Sequence, residues 1–140
     1  MTTTASVEHR NAETVAGIYQ SFVRGDVPAI LDQLADDIEW LHAVPDHGLP
    51  WYRTRSGHAG VVDFFNALAN GMPVHRFEPQ RIVAQGDTVA SLTSLGCTLN
   101  GRQIDVHAAH FWTFGADGKA TRMQLLMDQT DMVAAYGGSS

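Results

Sequence analysis

Hydrophobic and polar residues alternate with two different periods, which divide the chain into a helical first half and a sheet-forming second half. In the first half, apolar residues recur at positions i, i+3, i+4 and i+7, the spacing that places them on one face of a helix. Three groups show this spacing, at residues 15–22, 27–34 and 61–68. The pattern therefore predicts three helices.

The residues between the first two groups have the character of helix ends. Gly25 can adopt the left-handed conformation that often follows a helix C-terminus. Asp26 is a favoured N-cap residue, and Pro28 falls in a first turn, where its missing N–H group costs little. We therefore expect one helix to end near Arg24 and the next to begin after Asp26.

The second half follows the pattern of strands joined by tight turns. After an early strand at residues 38–42, the strand candidates are residues 76–84, 88–99, 103–114 and 120–128. Asn100-Gly101 suits a type I′ hairpin turn, because both central residues of that turn require positive φ. Such short connections make consecutive strands antiparallel neighbours, and residues 131–136 predict a last helical turn.

The order of these elements indicates the fold class. At 140 residues the chain predicts a single domain, residues 1–140, with a flexible N-terminus at residues 1–6 and a full hydrophobic core. Helices followed by an antiparallel meander are typical of an α+β fold. A curved sheet, mixed or antiparallel, that wraps around the three N-terminal helices would form a cone with one open end.

Composition and charge narrow the functional classes. A net charge of −6 with scattered cations argues against a nucleic-acid partner. The sequence has no apolar run near the roughly 18 residues of a membrane span, and its N-terminus does not resemble a signal peptide, so we expect a cytoplasmic protein without a membrane partner. Cys97 is the single cysteine, and His107 and His110 face opposite sides of a strand, so we expect no metal site.

Strand alternation groups the candidate chemical residues on one face. Trp40 and His42 share a face of the early strand, and His110 and Trp112 share a face of a later one. Histidine titrates near neutral pH and can act as a base or a donor. A carboxylate at Asp128, on the next strand, can hold an imidazole in one tautomer. The predicted catalytic residues are His42, His110 and Asp128.

Aromatic side chains supply the predicted wall of a pocket. The loop at residues 43–56 carries Trp51 and Tyr52, which either close the mouth of the cone or cover an edge of the core. Phe64 is a core residue that can also line a pocket. The predicted substrate-binding residues are Tyr19, Trp40, Trp51, Tyr52, Phe64 and Trp112.

Several stretches resemble the SnoaL-like members of the nuclear-transport-factor-two-like superfamily, whose relatives include ketosteroid isomerase and polyketide cyclases. The matching stretches are Arg24-Gly25-Asp26, Leu34-Ala35-Asp36-Asp37-Ile38-Glu39-Trp40, Gly57-His58-Ala59-Gly60-Val61 with Phe64-Phe65, Ala84-Gln85-Gly86-Asp87-Thr88-Val89, and His110-Phe111-Trp112-Thr113-Phe114 through Gly118-Lys119 to Asp128. The resemblance spans roughly residues 10–136. It implies the conical fold and a homodimer formed through the outer face of the sheet, where Phe111 would otherwise be exposed.

The resemblance also implies roles for individual residues. His42 falls where ketosteroid isomerase-like proteins place a general-base Asp, and His110 where they place a protonated Asp that donates to a developing oxyanion. Asp128 falls where SnoaL-like cyclases place an acid/base Asp. The oxyanion Tyr of the isomerases falls on Ile18, one residue before Tyr19.

These observations predict a cofactor-independent acid/base enzyme of the isomerase, dehydratase or cyclase type, acting on a small apolar molecule. The alternative is a non-catalytic small-ligand-binding or scaffold module of the same fold. A third possibility is a partner-binding transport-type module, which would need an exposed apolar patch. Epoxide hydrolysis, through Arg102 and Asp105, has weaker support because this pair lies at the start of a strand.

Overall fold

The computed structural model describes residues 4–42, 49–128 and 130–136, with the backbone alone at residues 4, 5, 42 and 136. The elements in these ranges are α1 (Thr4–Val23), α2 (Val27–Leu31), β1 (Leu34–His42), a short 3-10 helix (Pro50–Tyr52), β2 (Arg55–Ser56), α3 (Gly57–Gly71), β3 (Val74–Gln85), β4 (Thr88–Leu99), β5 (Arg102–Phe114), β6 (Ala120–Met127) and α4 (Thr130–Tyr136). None of the helices in these ranges is long and apolar enough to span a bilayer.

The six strands form one mixed sheet in the order β2-β1-β6-β5-β4-β3. β1 and β6 are parallel, and the other neighbouring strands are antiparallel. Register shifts interrupt the pairing of β3 near Val74 and near Pro79, and such bulges bend and twist a strand. The sheet curves around α1, which packs against β3 and β4, and around α3, which packs against β1. The predicted cone-like α+β fold is therefore confirmed.

The predicted helix ends and hairpin turn follow the expected local chemistry. Gly25 has a φ of 72°, and a side-chain oxygen of Asp26 accepts a 3.2 Å hydrogen bond from the backbone N–H of Ala29. Asn100 and Gly101 have φ angles of 51° and 77°, as a type I′ turn requires. The Asn100-Gly101 turn places β4 and β5 side by side with an uninterrupted register.

Several element boundaries differ from the sequence-based expectation. β1 begins at Leu34, whereas the sequence predicts a start at residue 38. The exposed Asp36 and Asp37 remain within the strand because the pairing of β1 with β6 shifts register between Leu34 and Glu39. β2 pairs with β1 inside a segment expected to be a loop, of which residues 43–48 lie outside the described residues. α1 begins at Thr4, within the segment 1–6 that was expected to be flexible.

Candidate active site

An apolar pocket lies between the concave face of the sheet and helices α1 and α3. It has a volume of about 70 Å³, and its wall includes Trp40, Trp51, Phe64, Trp112, Met123 and Leu125. Among its described lining residues, Tyr19 and His110 carry titratable groups. The pocket therefore combines a water-excluding wall with two groups that can exchange protons.

The register of the sheet places His110 and its neighbours on the concave face. His110 lies opposite Ser91 of β4 and opposite Leu125 of β6. Two residues further along β5, Trp112 lies opposite Met123. Because residues opposite each other in adjacent strands share a face, His110 is part of the pocket floor.

The hydroxyl group of Tyr19 is the centre of a buried hydrogen-bond cluster. Its oxygen lies 2.7 Å from Nδ1 of His110 and 2.5 Å from the hydroxyl oxygen of Ser91. The indole N–H of Trp112 donates to the same oxygen over 3.1 Å. Tyr19 and Trp112 are 4% and 2% exposed, so solvent contributes little to this cluster.

The hydrogen atoms of the cluster can be arranged in two ways. Because the indole N–H of Trp112 can only donate, the Tyr19 oxygen accepts one hydrogen bond from it in both arrangements. In one arrangement, Tyr19 donates to Nδ1 of His110, Ser91 donates to Tyr19, and His110 carries its proton on Nε2. In the other arrangement, Tyr19 donates to Ser91 and Nδ1–H of His110 donates to Tyr19. A tyrosine hydroxyl therefore supports either neutral tautomer of the imidazole.

Burial keeps the phenol of Tyr19 protonated. The loss of solvation raises the pKa of Tyr19 from 10.0 to about 12, although the hydrogen bonds with Ser91 and Trp112 act in the opposite direction. At neutral pH the residue is an uncharged group that both donates and accepts. The cluster can therefore orient His110 without placing a second charge beside it.

The three predicted catalytic residues have different positions. His110 lines the pocket. The backbone of His42 lies opposite Leu125, which itself lies opposite His110, so the two His positions share one row across the sheet. The side chain of His42 lies outside the described residues, so its predicted role stays a prediction.

Asp128 is exposed and takes part in a different interaction. One of its carboxylate oxygens accepts a 3.1 Å hydrogen bond from the backbone N–H of Thr130, at the start of α4. This bond lowers the pKa of Asp128. Met127 lines the pocket, so the next residue in the alternation points away from it. The structure does not bring Asp128 and His110 together. An Asp just before a predicted helix is a favoured partner of the first backbone N–H groups of that helix, and this was the sequence signal for the position of Asp128.

Five of the six predicted substrate-binding residues line the pocket. They are Tyr19, Trp40, Trp51, Phe64 and Trp112. Tyr52 is buried but is not part of the lining. Trp51 is fully buried and packs so closely on α3 that a Cβ atom at Gly71 would lie 2.5 Å from its ring.

Groups considered for other chemistry lie outside the pocket. Arg102 and Asp105 are exposed, and Asp105 accepts a 3.0 Å hydrogen bond from Arg76. His107 is exposed as well. Within the described ranges, no three His, Cys, Asp or Glu side chains come together as a metal site would need.

Two features of the site were not predicted from the sequence. The first is Ser91, a polar residue at a concave-face position of β4. A polar residue where the strand alternation calls for an apolar one was the sequence signal that could have identified it. An open groove of about 410 Å³, lined in part by Arg24, His75 and Arg76, adjoins the pocket. The pocket and the groove share Phe22, Phe65, Leu68, Val74 and Phe77 as lining residues.

Comparisons with known proteins agree with this architecture. No curated protein sequence matches the chain significantly. The structure of TerC co-crystallized with polyporic acid is similar over 92% of this chain and 99% of TerC, with 28% sequence identity and a TM-score of 0.80. An NTF2-like protein of unknown function from Burkholderia pseudomallei K96243 is similar over 91% of this chain and 97% of its own, with 28% identity and a TM-score of 0.78.

A polyether-pathway protein and a domain-family model are similar to the chain as well. SalBIII, an epoxide hydrolase/cyclase-like enzyme with a role in pyran ring formation in the polyether salinomycin, is 23% identical, with a TM-score of 0.74, and covers 89% of this chain and 95% of its own. At this identity the likeness shows the fold alone. The model of the SnoaL-like domain matches residues 15–123, most of the chain. The chain therefore belongs to the SnoaL-like domain family and has its NTF2-like fold.

Proposed function

We propose that this protein is a cofactor-independent acid/base enzyme that acts on a small, largely apolar molecule in the pocket. The observation that carries the proposal is the 2.7 Å hydrogen bond between Tyr19 and Nδ1 of His110 within an otherwise apolar wall. The reaction is an isomerisation, a dehydration or a ring closure, since each of these moves protons to or from carbon and oxygen.

His110 is the proposed proton-transfer group. Tyr19 holds Nδ1, so Nε2 is the nitrogen that exchanges a proton with the substrate. When Nδ1–H donates to Tyr19, Nε2 can accept a proton, and the resulting imidazolium keeps its bond to the Tyr19 oxygen. When Tyr19 donates to Nδ1, Nε2 carries the proton and can deliver it. An imidazole needs little change in pKa for either role near neutral pH.

The apolar wall is proposed to strengthen this chemistry. Trp40 and Trp112 are 3% and 2% exposed and keep water from the reacting atoms, which makes charge–dipole interactions stronger than in solvent. The cavity of about 70 Å³ is about half the roughly 150 Å³ of an engineered apolar cavity that binds benzene. A ring-sized substrate therefore displaces lining side chains or extends toward the adjoining groove.

One similar solved structure supports a small-molecule ligand in the pocket. TerC, which is 28% identical to this chain, was co-crystallized with polyporic acid. His42, in the same sheet row as His110, is proposed as a second proton-transfer group. Asp128, exposed at the start of α4, has no direct contact with the substrate in this proposal.

A non-catalytic small-ligand-binding module is the second candidate function. It is favoured by one specific observation, that Nδ1 of His110 is already held by Tyr19 and lies 3.4 Å from the Ser91 hydroxyl oxygen. In such a module the imidazole would only shape the pocket. The two candidates agree on ligand binding and differ on turnover.

We further propose that the protein forms a homodimer through the outer face of the sheet. Val83, Leu92, Phe111 and Leu126 are 54%, 44%, 41% and 37% exposed. The register places them in two adjacent rows on that face, Val83–Ala90–Phe111 and Leu92–Ala109–Leu126. A contiguous apolar patch of this kind is typical of a subunit contact.

The function is tested by a ligand screen followed by turnover assays. Thermal shift identifies small apolar molecules that stabilise the protein, and each ligand is then assayed for isomerisation, dehydration or cyclisation. The proposal predicts a loss of turnover of about 100-fold or more in His110→Ala. Asp128→Asn is the matched control and is expected to retain turnover. Binding without turnover in the wild-type protein would favour the non-catalytic module.

A further inference from the structure

The indole N–H of Trp40 is a buried donor without an acceptor among the described residues. Trp40 is 3% exposed and lines the pocket, and its Nε1 has no hydrogen-bond partner among the residues that the structure describes. The indole of Trp112, in the same sheet row and 5.8 Å away between ring centroids, donates to Tyr19 instead. The two tryptophans therefore differ in what their N–H groups contact.

An unsatisfied buried donor is costly in a folded protein. Leaving a buried N–H without an acceptor typically costs about 1–3 kcal/mol, and most buried polar atoms have a partner. A phenylalanine at residue 40 would fill much of the same space without this cost. A donor retained in the wall of a binding pocket is explained when a ligand atom completes it.

We propose that Trp40 is a specificity-determining residue that donates a hydrogen bond to an oxygen atom of the bound molecule. The ligand class is therefore an apolar skeleton with an acceptor oxygen, of which a ketone is the simplest example. This inference rests on the proposal that the pocket binds a small molecule and is independent of catalysis.

The position of Trp40 also places the ligand oxygen that it binds away from His110, the proposed proton-transfer group. Trp40 lies on β1 and His110 on β5, with β6 between these strands in the sheet, and the Trp112 ring neighbours both side chains, with centroids 5.8 Å from Trp40 and 6.3 Å from His110. A ligand held by Trp40 presents a different part of its skeleton to His110. The pocket thus recognises two points on one molecule, an acceptor oxygen and a site of proton exchange.

The test uses two probes of almost the same shape, cyclohexanone and methylenecyclohexane, which differ in a carbonyl oxygen. The chain has three tryptophans, so its ¹⁵N-labelled form gives three indole N–H signals, and Trp40→Phe assigns one of them. We expect cyclohexanone to shift the Trp40 indole proton downfield, and methylenecyclohexane to leave it nearly unchanged. In Trp40→Phe the dissociation constant for cyclohexanone should rise about tenfold, while that for methylenecyclohexane changes little.

Phe64→Leu is the matched control, since the Phe64 ring packs 5.4 Å from Trp40 and carries no donor. Phe64→Leu should raise the dissociation constants of both probes by the same factor. An unmoved Trp40 signal on saturation with cyclohexanone, or equal losses for both probes in Trp40→Phe, would overturn the inference while leaving ligand binding intact. If neither probe shifts any pocket signal, the inference and the proposed binding role are both overturned. A downfield shift of the Trp40 signal supports the inference whether or not the protein turns over any ligand.

Discussion

The hydroxyl oxygen of Tyr19 and Nδ1 of His110 lie 2.7 Å apart, although 91 residues separate them in the chain. Tyr19 belongs to α1 and His110 to β5, so this bond joins the helical layer to the concave face of the sheet. The orientation of the imidazole therefore depends on how α1 packs against the sheet. Burial of the phenol keeps the bond uncharged at neutral pH.

Replacing Tyr19 with Phe removes an oxygen that three groups share. His110, Ser91 and Trp112 each lose a partner, so the free energy of unfolding should fall by about 1–3 kcal/mol. Turnover of an identified substrate should fall by about tenfold or more, because Nδ1 no longer has its orienting group. Ser91→Ala keeps the Tyr19–His110 bond and should lower turnover by less than about threefold. Urea unfolding and steady-state kinetics measure both effects, and equal losses of turnover in the two variants would contradict the orienting role.

The raised pKa of Tyr19 predicts a loss of stability in alkali. The unfolded chain ionises this phenol near pH 10, whereas the folded protein retains the proton up to about pH 12. Between these values the folded state binds more protons, so the free energy of unfolding falls as the pH rises. A difference of two pKa units corresponds to at most about 2.7 kcal/mol.

A comparison with Tyr19→Phe isolates this contribution. The stability advantage of the wild-type protein over the variant should shrink between pH 9 and pH 11.5, as measured by urea unfolding at each pH. Burial also raises the pKa of the Cys97 thiol, to about 11, but this group is common to both proteins and cancels in the difference. A constant difference across this range would show that Tyr19 ionises in the folded state as it does in the unfolded chain.

A charge at Phe111 should disrupt the proposed dimer. Phe111 is 41% exposed on the outer face of the sheet, and Phe111→Arg places a cation within the apolar patch. We expect the mass measured by light scattering to fall from that of a dimer to that of a monomer. Val62→Arg, a similar change at an exposed position of α3, should leave the mass unchanged. A wild-type monomer at high concentration would contradict the dimer directly.

The Phe22 side chain, which lies between the pocket and the groove, should limit the size of the ligand that the pocket binds. Phe22 lines both spaces and packs against Phe77 and Phe65, with ring centroids 5.1 Å and 5.8 Å away. Phe22→Ala should open the pocket toward the groove and improve binding of 1-indanone relative to cyclohexanone, at a stability cost below the roughly 3–5 kcal/mol of a fully buried Phe→Ala change. Phe22→Leu should largely preserve the wild-type ratio of the two affinities, measured by NMR titration. An unchanged ratio in Phe22→Ala would show that this ring does not limit ligand size.

Local sequence patterns predicted the parts of the fold that depend on local chemistry. Gly25 and Asp26 marked the end of α1 and the start of α2, and Asn100-Gly101 marked the β4–β5 turn. Strand alternation placed Trp40 and Trp112 correctly in the pocket wall, because each lies within a regular part of its strand. These features need only the residues near them in the chain.

The remaining features depend on contacts between distant segments. The bond from Tyr19 to His110 is set by the rotation of α1 against the sheet, which no local pattern reports. β1 extends back to Leu34 because β6 pairs with it there, despite the intervening aspartates. Asp128 follows the last residue of β6 and accepts a hydrogen bond from the backbone N–H of Thr130, so a prediction that treated it as part of the strand misplaced its side chain.

The central claim, that His110 exchanges protons with a molecule held in the pocket, is tested most directly by hydrogen–deuterium exchange into a bound ligand. A ligand from the screen that carries an acidic C–H group is incubated in D₂O with the protein, and loss of that proton signal is followed by NMR. We predict that the wild-type protein and Asp128→Asn accelerate the exchange, and that His110→Ala slows it by about 100-fold or more. Equal exchange rates with the wild-type protein and His110→Ala would contradict the claim.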